Sequence, residues 1–130
     1  LKRQSKNKGA ADSQFSVEAC IKTKQNINGI AFASHIFQDL DVGTLRDCSD
    51  RILEKIQSGI VALGSSHEGR AHLVIKVSKD LTQSYSAAKM IKQVSDGIAG
   101  RGGGRADMAQ AGGSEPAQLA NTIERITELI

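Results

Sequence analysis

The 130 residues, 39% hydrophobic and only 3% aromatic, suit one domain with an aliphatic core, and they leave few platforms for stacking unpaired bases. No apolar run approaches the roughly eighteen residues of a membrane span, and the basic, polar N-terminus has no apolar signal segment, so the sequence predicts neither a span nor a secretory leader. The net charge of +3 hides a segregation: +4 over residues 1–24, −3 over 25–69, +5 over 70–105 and −3 over 106–130.

Such segregation suits an anionic partner such as nucleic acid, and charge alone equally allows two solvated basic faces. Cys20 and Cys48 follow no ligand or disulfide spacing and predict reduced thiols in a cytoplasmic protein. The chain opens on Leu1 and reads as part of a longer protein.

In chain order, residues 1–14 are polar and read as a tail or the end of a helix. Residues 15–27 alternate Phe15, Val17, Ala19 and Ile21 like a strand, yet Lys22, Lys24 and the Asn28-Gly29 stop favour a helix C-terminus. The apolar stretch 29–37 predicts a buried strand. Residues 44–59 place Leu45, Cys48, Ile52 and Ile56 at helical spacing, with Thr44 as N-cap and Gly59 as the glycine past the C-terminus. A second buried strand follows at 60–65. Strand, helix and strand make a βαβ unit, which predicts that 30–37 and 60–65 are parallel. A third strand carries Leu73, Ile75 and Val77 on one face and pairs with 60–65 as a hairpin. Residues 84–100 set Ala87, Met90, Ile91, Val94 and Ile98 on one helical stripe, capped by Ser84 or Ser86. The last helix has Pro116 in its first turn and Leu119, Ile123, Ile126 and Ile130 along one face. The expected fold is a small α/β domain, a mixed sheet of three to four strands packed with helices.

Between the last two helices lies GRGGGRADMAQAGG, residues 100–113, with six of the thirteen glycines. Glycine is costly to order, so three in a row point to a backbone that another molecule approaches closely. The stretch fails two templates. Gly100, Gly102 and Gly104 have the wrong last spacing for a dinucleotide loop, and Gly103 stands where a Walker loop needs Lys. What remains is a glycine-rich loop whose amides form an anion nest, with Arg101 and Arg105 as guanidinium forks and Gln110 as donor and acceptor for a base or sugar edge. The plainer reading is a mobile linker, which Asp107-Met108-Ala109-Gln110 disfavours.

GRGGGRADMAQAGG resembles the signature near the C-terminus of alanyl-tRNA synthetases, in their DHHA1-type globular region. The stretch from Ile27 through the strand, the Leu45-Arg46 helix and the strand at 60–65, and then LVIKVSKDL, is similar to the same region in the same order. The resemblance spans residues 27 to 130, and residues 1–26 would end a preceding helical segment. It implies a noncatalytic tRNA-binding module that contacts the tRNA elbow and helps aminoacylation and editing domains share one tRNA. It also implies other synthetase domains as partners, a possible homodimer, and a parent that is an ATP-dependent alanine–tRNA ligase. ATP and zinc would belong to that parent, with no cofactor here. Carried onto this chain, the RNA-contacting residues are Arg101, Gly102, Gly103, Gly104, Arg105 and Gln110, with Lys79 as a neighbour. A related domain follows phosphoesterases with an Asp-His-His motif, where the glycine run ends in His. Arg105 takes that place here and favours the synthetase branch.

Catalytic constellations are lacking in the sequence. The synthetase editing domain's HxxxH and CxxxH zinc motifs are absent, as is Asp-His-His. His35 reads as a core histidine and His67 as an exposed turn residue. Asp39, Asp41, Asp47 and Asp50 read as loop and helix N-terminal charges. Ser65-Ser66-His67 has no acid partner in view. Two alternatives stay open: a dimerisation or protein-interaction module, and an accessory substrate-binding domain of an Asp-His-His phosphoesterase.

Overall fold

A computed structural model describes residues 21–22 and 24–130. The predicted features of residues 1–20, Cys20 among them, lie outside the described residues. Among the described residues six strands form: β1 (Gln25–Ile27), β2 (Ile30–Gln38), β3 (Ile60–His67), β4 (Arg70–Val77), β5 (Gly100–Gly104) and β6 (Met108–Gly113). Residues 21–22 are helical, and the helices whose full extent is described are α1 (Val42–Ile56), α2 (Ala87–Val94) and α3 (Leu119–Glu128). One sheet runs in the order β1-β2-β3-β4-β6-β5. Only β2 and β3 pair in parallel, as the βαβ reading requires, and the β3–β4 hairpin pairs Ile60 with Val77 through His67 with Arg70. The α/β class holds, and the sheet has six strands instead of three to four.

One of the extra strands, β1, lies where a helix end was expected, and the other two form the glycine-rich hairpin. Asn28 and Gly29, expected to stop a helix, join β1 to β2, with φ of 53° and 82°. Two positive φ values in a two-residue connection are what a hairpin turn matching the strand twist needs, and Asn-Gly supplies them at low cost. The helix after β2 also starts earlier than expected. Asp41 precedes Val42 at its N-terminus, and the Thr44 hydroxyl donates to Asp41 Oδ1 at 2.5 Å instead of capping the backbone. At the other end Gln57 takes the positive φ of 67°. Gly59 serves a close approach, because a Cβ there would sit 2.5 Å from the Ala31 carbonyl oxygen.

The sheet alternation sorts the core into two faces. One face presents Phe32, Ile60, Ala62, Leu73, Ile75, Val77, Ala109 and Ala111 to Ala87, Met90, Ile91 and Val94 of α2 and Leu119, Ile123 and Ile126 of α3; Ile98 and Ile130 of the predicted stripes follow just beyond these helices and are buried with them. Ser86 caps α2, accepting from the Lys89 amide at 3.4 Å. The second face presents Ala33, Val61, Leu63 and Val74 to Leu45, Cys48 and Ile52 of α1. Helix α1 lies over β3 and β4. The coverage of the two faces by the described residues is therefore unequal: none of the described helices lies over the second face at β6 and β5.

Candidate nucleic-acid interface

The glycine-rich stretch is a β-hairpin and not a loop. β5 and β6 pair Gly100 with Gly113, Arg101 with Gly112, Gly102 with Ala111, Gly103 with Gln110 and Gly104 with Ala109. The Arg105 amide closes the turn by donating to the Met108 carbonyl at 2.7 Å. Alternation along an antiparallel ladder then makes 103/110 and 101/112 the hydrogen-bonded pairs. Gly100, Gly102 and Gly104 fall at the other pairs, where strands approach closest, and their amides turn toward the open sheet edge. This explains the residue type. A Cβ at Gly102 would lie 2.3 Å from the Gln110 carbonyl oxygen, and one at Gly100 would lie 2.0 Å from that of Gly112. These glycines serve the hairpin's own packing, contrary to the expectation that they open the backbone to a ligand.

The other side of the hairpin is different. Strand alternation puts Arg101, Gly103 and Arg105 on the open face, the two arginines roughly 13 Å apart at Cα. Nothing lies within 4 Å of a Cβ built at Gly103, and one at Gly112 would meet only the Ala71 carbonyl oxygen at 3.9 Å. Arg101 and Arg105 are exposed and form no ion pair among the described residues.

A cleft of about 380 Å³ opens on this face, lined by Arg101, Gly102, Gly103, Gln110, Ala111, Gly112, His72 and Val42. Its floor is a small checkerboard. Across one row stand Arg101, Gly112 and His72; across the next stand Gly103, Gln110 and Val74. The glycines leave gaps on either side of Gln110. Gln110 Oε1 is buried and accepts no hydrogen bond from the described residues. Leaving such an acceptor unpaired costs about 1–3 kcal/mol, which a donor on a ligand would offset.

Of the predicted residues, the cleft thus unites Arg101, Gly102, Gly103 and Gln110. Gly104 ends β5 and Arg105 opens the turn that follows it. Lys79 follows β4 at the turn's end of the sheet and borders a separate cleft with Asp50, Glu54 and Asp80. His72 is the member that the sequence reading missed. Its place depends on the β4–β6 register, for which the sequence carries no local signal. Burial holds its imidazole below the ordinary histidine value, helped by the His67 ring and the Arg70 guanidinium and opposed by Asp41.

The neighbouring polar groups also find places. Ser65 is fully buried, its hydroxyl donating to the Leu40 carbonyl at 2.7 Å and accepting from the Leu40 amide at 3.0 Å. It is a structural pin for the loop before α1, not a nucleophile. His67 ends β3 half-buried, not exposed in a turn, with Nδ1 3.3 Å from Asp39 Oδ1 and its ring 6.1 Å from that of His72. His35 is half-buried against Phe37, and burial lowers its pKa. Asp50 pairs with Lys76 on β4. Among the described residues no group of three or more His, Cys, Asp or Glu could hold a metal ion, and no helix is long and apolar enough to cross a membrane.

Residues 27–130 match the DHHA1 domain family. The chain belongs to the DHHA1 family. Curated relatives of this DHHA1 domain include the alanine–tRNA ligase of Shewanella loihica, 38% identical over 102 residues, which are 78% of this chain and 12% of that protein. That of Natranaerobius thermophilus is 38% identical over 117 residues, 89% of this chain and 13% of the relative. The chain therefore spans about an eighth of the length of the curated relatives it matches. Among solved structures, the C-Ala domain of Aquifex aeolicus alanyl-tRNA synthetase superposes with a TM-score of 0.77 at 26% identity, covering 82% of this chain and 96% of that one. RecJ of Thermus thermophilus shares the fold, with a TM-score of 0.65 at 15% identity over 95% of this chain and 18% of its own. This DHHA1 domain thus resembles the C-terminal domain of alanyl-tRNA synthetase, as the glycine-rich signature suggested.

Proposed function

We propose that this DHHA1 domain is the noncatalytic tRNA-binding module of an alanine–tRNA ligase, and that the open cleft beside the β5–β6 hairpin is where RNA docks. The observation that carries the reading is the buried, unpaired Gln110 Oε1 between Gly103 and Gly112, with Arg101 on the rim. A buried acceptor beside an uncommitted guanidinium suits a sugar–phosphate strand: phosphate on the arginine, a hydroxyl or amino donor on the amide oxygen.

In this reading Arg101 and Arg105 hold phosphates, Gln110 contacts a sugar or base edge, and the edge amides of Gly102 and Gly104 face the backbone of the RNA. Gly103 contributes space. Lys79 adds only general positive charge, because three carboxylates border its own cleft. Recognition is by charge and shape, with the outer corner of tRNA as the docking point and the other synthetase domains acting on the same bound tRNA. ATP and zinc chemistry belongs to those other domains, and the cytoplasm is where the parent would work.

Titration of an alanine-tRNA transcript at several salt concentrations tests the reading. With about four phosphates neutralised, log affinity should fall against log salt with a slope of about −3 to −4. The R101A/R105A double variant should bind at least about tenfold more weakly and flatten that slope, while melting like the parent. Salt-independent binding, or a double variant that binds normally, would overturn the reading.

A further inference from the structure

We infer that His72 is a second phosphate-binding residue of the cleft, taking up a proton as a phosphate settles between it and Arg101, so that affinity for RNA rises as pH falls. The inference rests on the cleft being the RNA site. It begins with the register. Arg101 and His72 stand in one row with Gly112 between them, roughly 10 Å apart at Cα. Because Gly112 has no side chain, the two cationic or potentially cationic groups flank an empty slot. A phosphate there would touch the guanidinium on one side and the imidazole on the other.

The charge state follows from the surroundings. Facing the imidazole are His67 from β3, Arg70 from its own strand, Arg101 across the slot, and Asp41 from the loop before α1. Behind it, the exposed carboxylates of Asp39 and Glu68 lie 3.3 Å and 3.9 Å from the two ring nitrogens of His67. Further along β4, Lys76 is committed to Asp50. Burial, the His67 ring and the Arg70 guanidinium outweigh Asp41 and hold the His72 imidazole below its ordinary value, so the free cleft disfavours the charged ring. A phosphate within about 4–6 Å reverses that balance, because an opposite charge at that range favours the protonated ring. Binding and proton uptake are then linked, and each pKa unit of upward shift is about tenfold in affinity at low pH.

The experiment measures binding of the same tRNA transcript to the whole chain at about pH 8, 7 and 6 at fixed ionic strength, with the His72 ring followed by NMR in the free and bound states. The expected result is a tightening of about threefold to tenfold from the highest to the lowest pH, and an upward shift of the His72 titration on binding. His72→Gln should lose this pH dependence, whereas His67→Gln should keep it. Two results overturn the proposal while leaving the site intact: a pH-independent affinity in a domain whose Arg101→Ala variant still loses binding, or a pH dependence that disappears with His67→Gln and survives His72→Gln. Normal binding by Arg101→Ala at every pH would remove both the site and the proposal. The NMR arm needs no variant, so it decides even if His72→Gln fails to fold.

Discussion

Gly102 and Gly103 are adjacent in the chain and do opposite things. Gly102 faces the helix-covered side of β5 at a narrow strand pair, where a single methyl would strike the Gln110 carbonyl oxygen. Gly103 faces the open side, where a methyl would strike nothing. The same contrast runs through the hairpin. Its inner side is closed by Gly100, Gly102, Ala109 and Ala111 against α2 and the following turn. Its outer side carries Arg101, Gly103, Gln110 and Gly112 into the cleft. A run of one residue type therefore does not report one role. In a strand each neighbour belongs to a different face, and the face decides whether the missing side chain is needed by the fold or by a ligand.

Substitutions can break that comparison at either side. The largest effect should come from Gly102→Ala, which forces the hairpin apart and should destabilise the domain by at least about 2 kcal/mol, read as a lower urea midpoint. Unchanged stability would show that the strands are not as close as described. Gly103→Leu should leave folding intact and instead fill the space beside Gln110, weakening tRNA binding about tenfold, a binding effect of about 1.4 kcal/mol. Gly103→Ala should be the mildest of the three, stabilising by up to about 1 kcal/mol because it restricts the unfolded chain at no steric cost. If Gly103→Ala were as damaging as Gly102→Ala, the distinction between the two sides would fail.

A smaller effect concerns acidity. His35 and His72 titrate below the ordinary histidine value of 6.5 in the fold, both chiefly through burial. Asp41 and Asp80 titrate below the ordinary 3.8, chiefly through hydrogen bonds from Thr44 and Ser58. In each case the unfolded chain binds the proton first as pH falls, so stability declines with acidification. The decline should begin below about pH 6.5 and continue through the carboxylate range. Urea titrations at neutral and mildly acidic pH should show a lower midpoint at the acidic one, and His35→Gln should reduce the difference. A midpoint that rises with acid would contradict the burial of both rings.

The legible parts of the sequence were those where side chains repeat. The stripes of α2 and α3, the apolar strands β2 and β3, and the Leu73-Ile75-Val77 face each carry a period that names the element. The hairpin at 100–113 was unreadable as strand because glycine has no hydrophobicity to alternate, and Ala109 and Ala111 give only a faint pattern. The Asn28-Gly29 turn was misread because β1, at three residues, is too short to announce itself. Of the cleft, Arg101 and Gln110 were visible as charge and amide beside glycine. His72 was not, because only the pairing of β4 with β6 brings it there.

The hairpin also ends the sheet, and that has a consequence for how the domain behaves in a crowd. An exposed edge strand is a template on which a second copy can zip, and glycine leaves no side-chain bulk to obstruct it. Here Arg101 and Arg105 stand on that border with no acidic partner among the described residues. Two such borders brought together would oppose like charges, so β5 guards itself against self-templated growth until a polyanion shields the arginines.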